Sequence, residues 1–166
     1  MKLIICVFIM FISAKECDKN NAQLATQDTT TEGNNTTVMS QKSMQIDRKI
    51  TYQAVSRGFF LNVTVQGDSI SFSNERDMKS VTTYKIPKEE KEELVSLISS
   101  MEETTLPDLK APSKKHQFDG AAIATVEVEN GENSYKTVAF DHGTPPESIK
   151  PIVEKMLSIK TMIEKQ

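Results

Sequence analysis

From Ile50 to Ile163 the apolar residues recur with two different periods in a fixed order, which restricts the chain to one class of fold. Ile50, Tyr52 and Ala54 alternate with polar residues, and so do Leu61, Val63 and Val65, then Ile70 and Phe72; each run has the two-residue period of a half-buried strand. Ser56-Arg57-Gly58 breaks the first run from the second, and Gly67-Asp68 is a tight-turn signal before the third. Val81, Thr83 and Tyr84 to Ile86 make a fourth short strand. At Pro87 the period changes. Proline opens a helix at no cost in hydrogen bonds, and Leu94, Leu97, Ile98 and Met101 then recur at helical spacing. The acidic run around Glu89–Glu93 reads as the solvated face and first turn of that helix. Two further strands, 121–129 and 134–140, flank Asn130-Gly131-Glu132-Asn133 as a hairpin. A closing helix over about 146–164 buries Ile149, Ile152, Val153, Met156, Ile159 and Ile163. Pro151 fits there only within the first turn. The order β-β-β-β-α-β-β-α predicts an α+β domain: an antiparallel sheet of about six strands with two helices packed on one face.

Ahead of this domain the chain is of a different character. MKLIICVFIMFISAKEC places one cation, Lys2, before an apolar run from Leu3 to Ile12, with Ser13, Ala14 and then Cys17 behind it. The run is too short for the roughly 20 residues a membrane span needs, so residues 1–16 read as a signal peptide and the protein as exported. Two processing routes fit: cleavage after Ala14, or lipidation of Cys17 as the first residue of a bacterial lipoprotein. Glu16 stands where a lipobox carries Gly, Ala or Ser. With Cys6 removed, Cys17 is the lone cysteine of the mature chain; it has no intramolecular disulfide partner, and acylation gives it a role. The domain must then stand on its core without disulfides. Residues 17–45 are dominated by Thr, Asn, Gln, Asp and Ser without apolar period, and read as a disordered tether. Residues 46–166 make the single domain.

Composition narrows the function classes. The chain carries 20 Lys and Arg against 23 Asp and Glu, a net charge of −3, which argues against a nucleic-acid partner. No tryptophan is present, so there is little sign of a stacking platform for sugars or bases. No G-x-S-x-G elbow, glycine-rich phosphate loop, HExxH or CxxC occurs, and the domain contains no cysteine nucleophile.

One polar constellation stands out. The two histidines each lie beside an Asp-Gly or Asp-His-Gly element, in His116-Gln117-Phe118-Asp119-Gly120 and Phe140-Asp141-His142-Gly143. If the hairpin turns near Gly131, residue 121 lies opposite about 141 and 119 opposite about 143. His116, Asp119, Asp141 and His142 then share one end of the two strands. Imidazole and carboxylate together can ligate Zn²⁺ or a similar divalent cation, whose bound water is a hydrolytic nucleophile. The same residues also serve as ordinary turn chemistry, with Asp119 and Asp141 holding backbone N–H groups and His142 capping the helix entry at Thr144-Pro145-Pro146. Arg57, beside Phe59 and Phe60, is a separate candidate for binding a carboxylate or phosphate. Residues 102–120, with Pro107 and Pro112, form a long loop of the kind that carries function.

The segment ending at Cys17, Ser56-Arg57-Gly58-Phe59-Phe60, Phe118-Asp119-Gly120-Ala121 and Phe140-Asp141-His142-Gly143-Thr144-Pro145-Pro146 together resemble small exported proteins of Bacteroidetes, particularly flavobacteria. The resemblance implies an envelope location, in the periplasm or at the outer membrane of a Gram-negative bacterium, and a small sheet-helix domain; it brings no activity. Three functions are compatible with these features. The first is a membrane-tethered envelope domain that binds a protein or small ligand and exposes an apolar patch or pocket on the helix-free sheet face. The second is a small metal-dependent hydrolase using the His/Asp cluster. The third is an inhibitor of an exported enzyme, inserting the 102–120 loop or a hairpin turn.

Overall fold

The computed structural model describes residues 46–166. The signal segment, Cys17 and the tether lie outside the described residues. The elements are β1 (Ile46–Ser56), β2 (Phe59–Gly67), β3 (Ser69–Ser73), β4 (Thr82–Lys85), α1 (Lys88–Ser99), β5 (Ile123–Asn130), β6 (Asn133–Lys136), β7 (Phe140–Asp141) and α2 (Lys150–Glu164). The class is α+β. One antiparallel sheet runs β4-β3-β2-β1-β5-β6, and β7 pairs with β5 beyond the end of β6. Among the described residues no helix is long and apolar enough to cross a membrane.

Alternation decides which face is buried. Ile50, Tyr52 and Ala54 of β1 stand beside Val65, Val63 and Leu61 of β2 and beside Val128, Val126 and Ala124 of β5. All nine are buried, and they form one core with the stripes of both helices. From α1 come Leu94 and Ile98, with Leu97 and Met101 partly buried; from α2 and its entry come Ile149, Ile152, Val153, Met156, Ile159 and Ile163. Each such aliphatic side chain contributes about 1.5–3 kcal/mol by leaving water. The two helices are also clamped to each other by charge: Lys155 of α2 pairs with Glu90 at 2.8 Å and with Glu93 of α1. Part of the acidic run therefore does more than solvate the helix. Pro151 lies in the first turn of α2, as its missing N–H requires.

The helix-free face differs from the expectation attached to a binding role. It carries Thr51, Gln53, Asn62, Thr64, Ser71, Thr83 and Thr125, with the Thr51 and Thr64 hydroxyls 3.2 Å apart and those of Ser71 and Thr83 at 2.8 Å. These hydroxyls pair across strands, and within β2 the Thr64 hydroxyl also lies within donating distance of Asn62 Oδ1, at 3.2 Å. Only at the Arg57 end does an apolar row occur, where Val55 stands between Phe60 and Ile123.

Three boundaries depart from the sequence reading. Residues 102–120 contain two short 3-10 helices, Glu103–Asp108 and Lys115–Phe118, and the first drives Leu106 into the core with no exposure. The last helix begins at Lys150, after a turn in which Ile149 N–H donates to Pro146 O. Its N-cap position is Ile149 with no side-chain cap, so His142 does not cap it.

The third departure concerns the last hairpin. Its turn is the two-residue Gly131-Glu132, with Gly131 at φ +61°. The register sets Ile123 opposite Asp141, two residues from the expected partner. One residue of the difference comes from the turn, which centres between Gly131 and Glu132, and the other from a bulge. Glu127 faces Lys136 and Ala124 faces Phe140, so the return strand holds one more residue than β5 over this stretch. Thr137 makes the irregularity tolerable: its N–H donates to Val126 O at 2.9 Å, while its hydroxyl accepts from Val126 N–H at 3.1 Å. The bulge splits the predicted strand into β6 and β7, and Val138 is left partly exposed.

Candidate functional site

The bulge re-aims the end of β7, and the site is built there. Phe140 is fully buried on the helix-bearing face, so Asp141 points to the opposite face and His142 back to the first. Consecutive strand residues cannot share a face. The two histidines therefore belong to different clusters.

Asp141 is 2% exposed and accepts four hydrogen bonds. Oδ1 takes the His116 backbone N–H at 2.8 Å and lies 2.6 Å from His116 Nδ1; Oδ2 takes the Lys115 N–H at 3.0 Å and the Ser113 hydroxyl. Burial alone would raise its pKa. The hydrogen bonds from Ser113, His116 and Lys115 outweigh that and hold the carboxyl far below its ordinary range. An ionised Asp141 fixes the imidazole: Nδ1 carries the proton toward the carboxylate, and Nε2 is left as an acceptor in the neutral ring. The His116 side chain is 8% exposed, and Nε2 has no hydrogen-bond partner among the described residues.

Nor is that nitrogen sealed in, since His116 lines a cleft of ≈ 620 Å³ between the 109–117 segment and the bulge. Leu109, Ala111, Val138 and Ala139 make its apolar wall. Lys110 and Lys114 bring positive charge, and among the described residues no carboxylate lines it. A cleft of this size with a few convergent polar groups has the form of a small-molecule site. A wider depression of ≈ 670 Å³ lies over the C-terminal half of α2, but its lining comes from α2 and the two residues beyond it, so no second element contributes polar groups.

The other predicted residues fall elsewhere. His142 Nδ1 lies 2.6 Å from the Tyr52 hydroxyl, and its ring packs on Phe59 with centroids 5.2 Å apart. Burial lowers the His142 pKa. Burial also raises that of the Tyr52 phenol, against a smaller opposing effect of the Gly143 backbone. Both groups are thus neutral, and Tyr52 O–H donates to Nδ1. Asp119 is exposed in the left-handed conformation at φ +56°, immediately after the second 3-10 helix. It lines a separate cleft of ≈ 340 Å³ together with Arg57. The structure thus joins His116 to Asp141, places Arg57 and Asp119 along another cleft with no ion pair between them, and sets His142 apart from both. Among the described residues no three His, Cys, Asp or Glu side chains come together as a metal-holding group.

Sequence reasoning missed Ser113, Tyr52, Lys110 and Lys114. Tyr52 reads only as a core position of β1, and lysines in a polar loop carry no local signal of convergence. No protein-family model matches the chain, and no curated protein matches it.

Proposed function

We propose that this is an exported, membrane-tethered binding domain of the bacterial cell envelope, with the His116 cleft as its ligand site. One observation supports the site above all: an imidazole nine-tenths buried and locked by a fully engaged carboxylate lines the cleft, and its Nε2 has no hydrogen-bond partner among the described residues. A histidine held only as a loop strut would place both nitrogens on protein partners. Among the described residues no serine, threonine or cysteine lines the cleft, and the neighbouring Ser113 hydroxyl is committed to Asp141, which favours binding over covalent catalysis. The tether and the lipid on Cys17 are part of this proposal, the lipid taken in preference to simple cleavage after Ala14, and together they would supply display at the membrane surface.

Two experiments test this. Amide NMR of the chain against a panel of small neutral and charged compounds should shift residues 109–117 together with Val138 and Ala139; a panel that leaves them all unmoved would remove the site. Metabolic labelling with a fatty-acid analogue should mark the wild type and not Cys17→Ala. Equal labelling of both, or of neither, would sink the lipid anchor.

A further inference from the structure

We infer that the His116 cleft receives a small organic carboxylate with a short apolar body. This rests on the reading of the cleft as the ligand site and adds the chemistry of the ligand.

Three features of the cleft converge on that class. The first is charge. Lys110 and Lys114 line the cleft, both are exposed, and neither forms a salt bridge among the described residues. The nearby Asp141 does not compete for them, because its oxygens already hold Ser113, the His116 ring and two backbone N–H groups. The second is the nitrogen itself. With Nδ1–H committed to Asp141, Nε2 shares one proton with a ligand oxygen: the neutral ring accepts it from a carboxylic acid, and the protonated ring donates it to a carboxylate. The third is the wall. Leu109, Ala111, Val138 and Ala139 offer nothing to a hydrated inorganic ion. Inorganic phosphate would leave that wall wet, while a pure hydrocarbon would strip water from two ammonium groups and an imidazole without replacing it. A carboxylate on an aliphatic or aromatic body satisfies both halves.

Octanoate is a suitable probe, with octanol matching its body and acetate its charge. Isothermal titration of the full chain should show saturable one-to-one binding of octanoate, with octanol and acetate weaker by about tenfold or more. The variant Lys110→Gln/Lys114→Gln, altered only at exposed positions, should keep its circular dichroism spectrum and lose about tenfold in octanoate affinity. His116→Phe should lose as much, and the lysine variant carries the test if that one fails to fold. Octanol binding as tightly as octanoate would overturn the inference, and so would unchanged octanoate affinity in the folded lysine variant. Absent octanoate binding with neutral compounds still shifting the cleft amides would reject the carboxylate and keep the site; silence from every compound would reject both.

Discussion

Asp141 and His142 are neighbours in sequence on opposite faces of the sheet, and the two environments couple folding to protons in separate windows. His142 has a lowered pKa because burial disfavours the imidazolium. Its contribution to stability is fully present above the unfolded value of about 6.5 and is lost as pH falls from there through the folded value. Asp141 also has a lowered pKa, with the hydrogen bonds from Ser113, His116 and Lys115 overcoming the opposing effect of burial. Its contribution is present above the unfolded carboxylate value of about 3.9 and fades at more acid pH. Urea melts from pH 8 to 3 should therefore show stability falling first below about pH 6.5 and again below about 4. His142→Gln should flatten the upper step and leave the lower one; Asp141→Asn should do the reverse. If His142→Gln keeps the upper step, the Tyr52–His142 pair is not its source. Asp141→Asn should also destabilise at pH 7 more than the exposed Asp77→Asn, since an amide presents N–H groups to donors that now meet oxygen.

At the scale of elements, α2 and the 102–120 segment show what makes structure legible. Every residue of the predicted α2 stripe is buried, because a 3.6-residue period over fifteen residues leaves one solution. The 102–120 segment has no period, and its order comes from long-range contacts: Arg48 and Asn130 hold Glu103, Leu106 enters the core, and Asp141 gathers Ser113, Lys115 and His116. Such contacts leave no local trace in sequence. The bulge is invisible for the same reason, since Thr137 reads as any β-branched strand residue until its hydroxyl is seen on the Val126 N–H. Leu106→Ala should cost about 2–5 kcal/mol in urea unfolding and raise protease sensitivity within 102–109. A loss below about 1 kcal/mol would mean that the first 3-10 helix rides on the surface. Lys155→Ala should cost only about 1 kcal/mol or less, reduced further by salt, because its clamp lies near water and is screened.

For the molecule as a whole, the sheet's two faces divide the labour. One face is covered by α1 and α2 and holds the core; the other is lined mainly by polar side chains, among them threonine and serine hydroxyls that pair across strands, with an apolar row only at the Arg57 end. The binding site we propose therefore lies not on the open face, where the sequence reading placed it, but at the end of the sheet where the bulge and the 109–117 segment meet. The class and the order of elements along the chain were legible because they follow from period and turn chemistry; the order of strands across the sheet was not. The site was half legible: His116 and Asp141 could be assigned to one end of a hairpin, but the extra residue after Lys136 decides which face each neighbour occupies. Among the described residues the core runs from Ile46 to Ile163, and residues 17–45 carry no apolar period in the sequence. A chain starting at Ser40 should therefore unfold in urea with the midpoint and slope of the longer chain starting at Cys17. A lower slope would show that residues 17–39 bury surface on folding, since the slope scales with area exposed. It would also turn the tether into part of the fold and the cleft into a site it could cover.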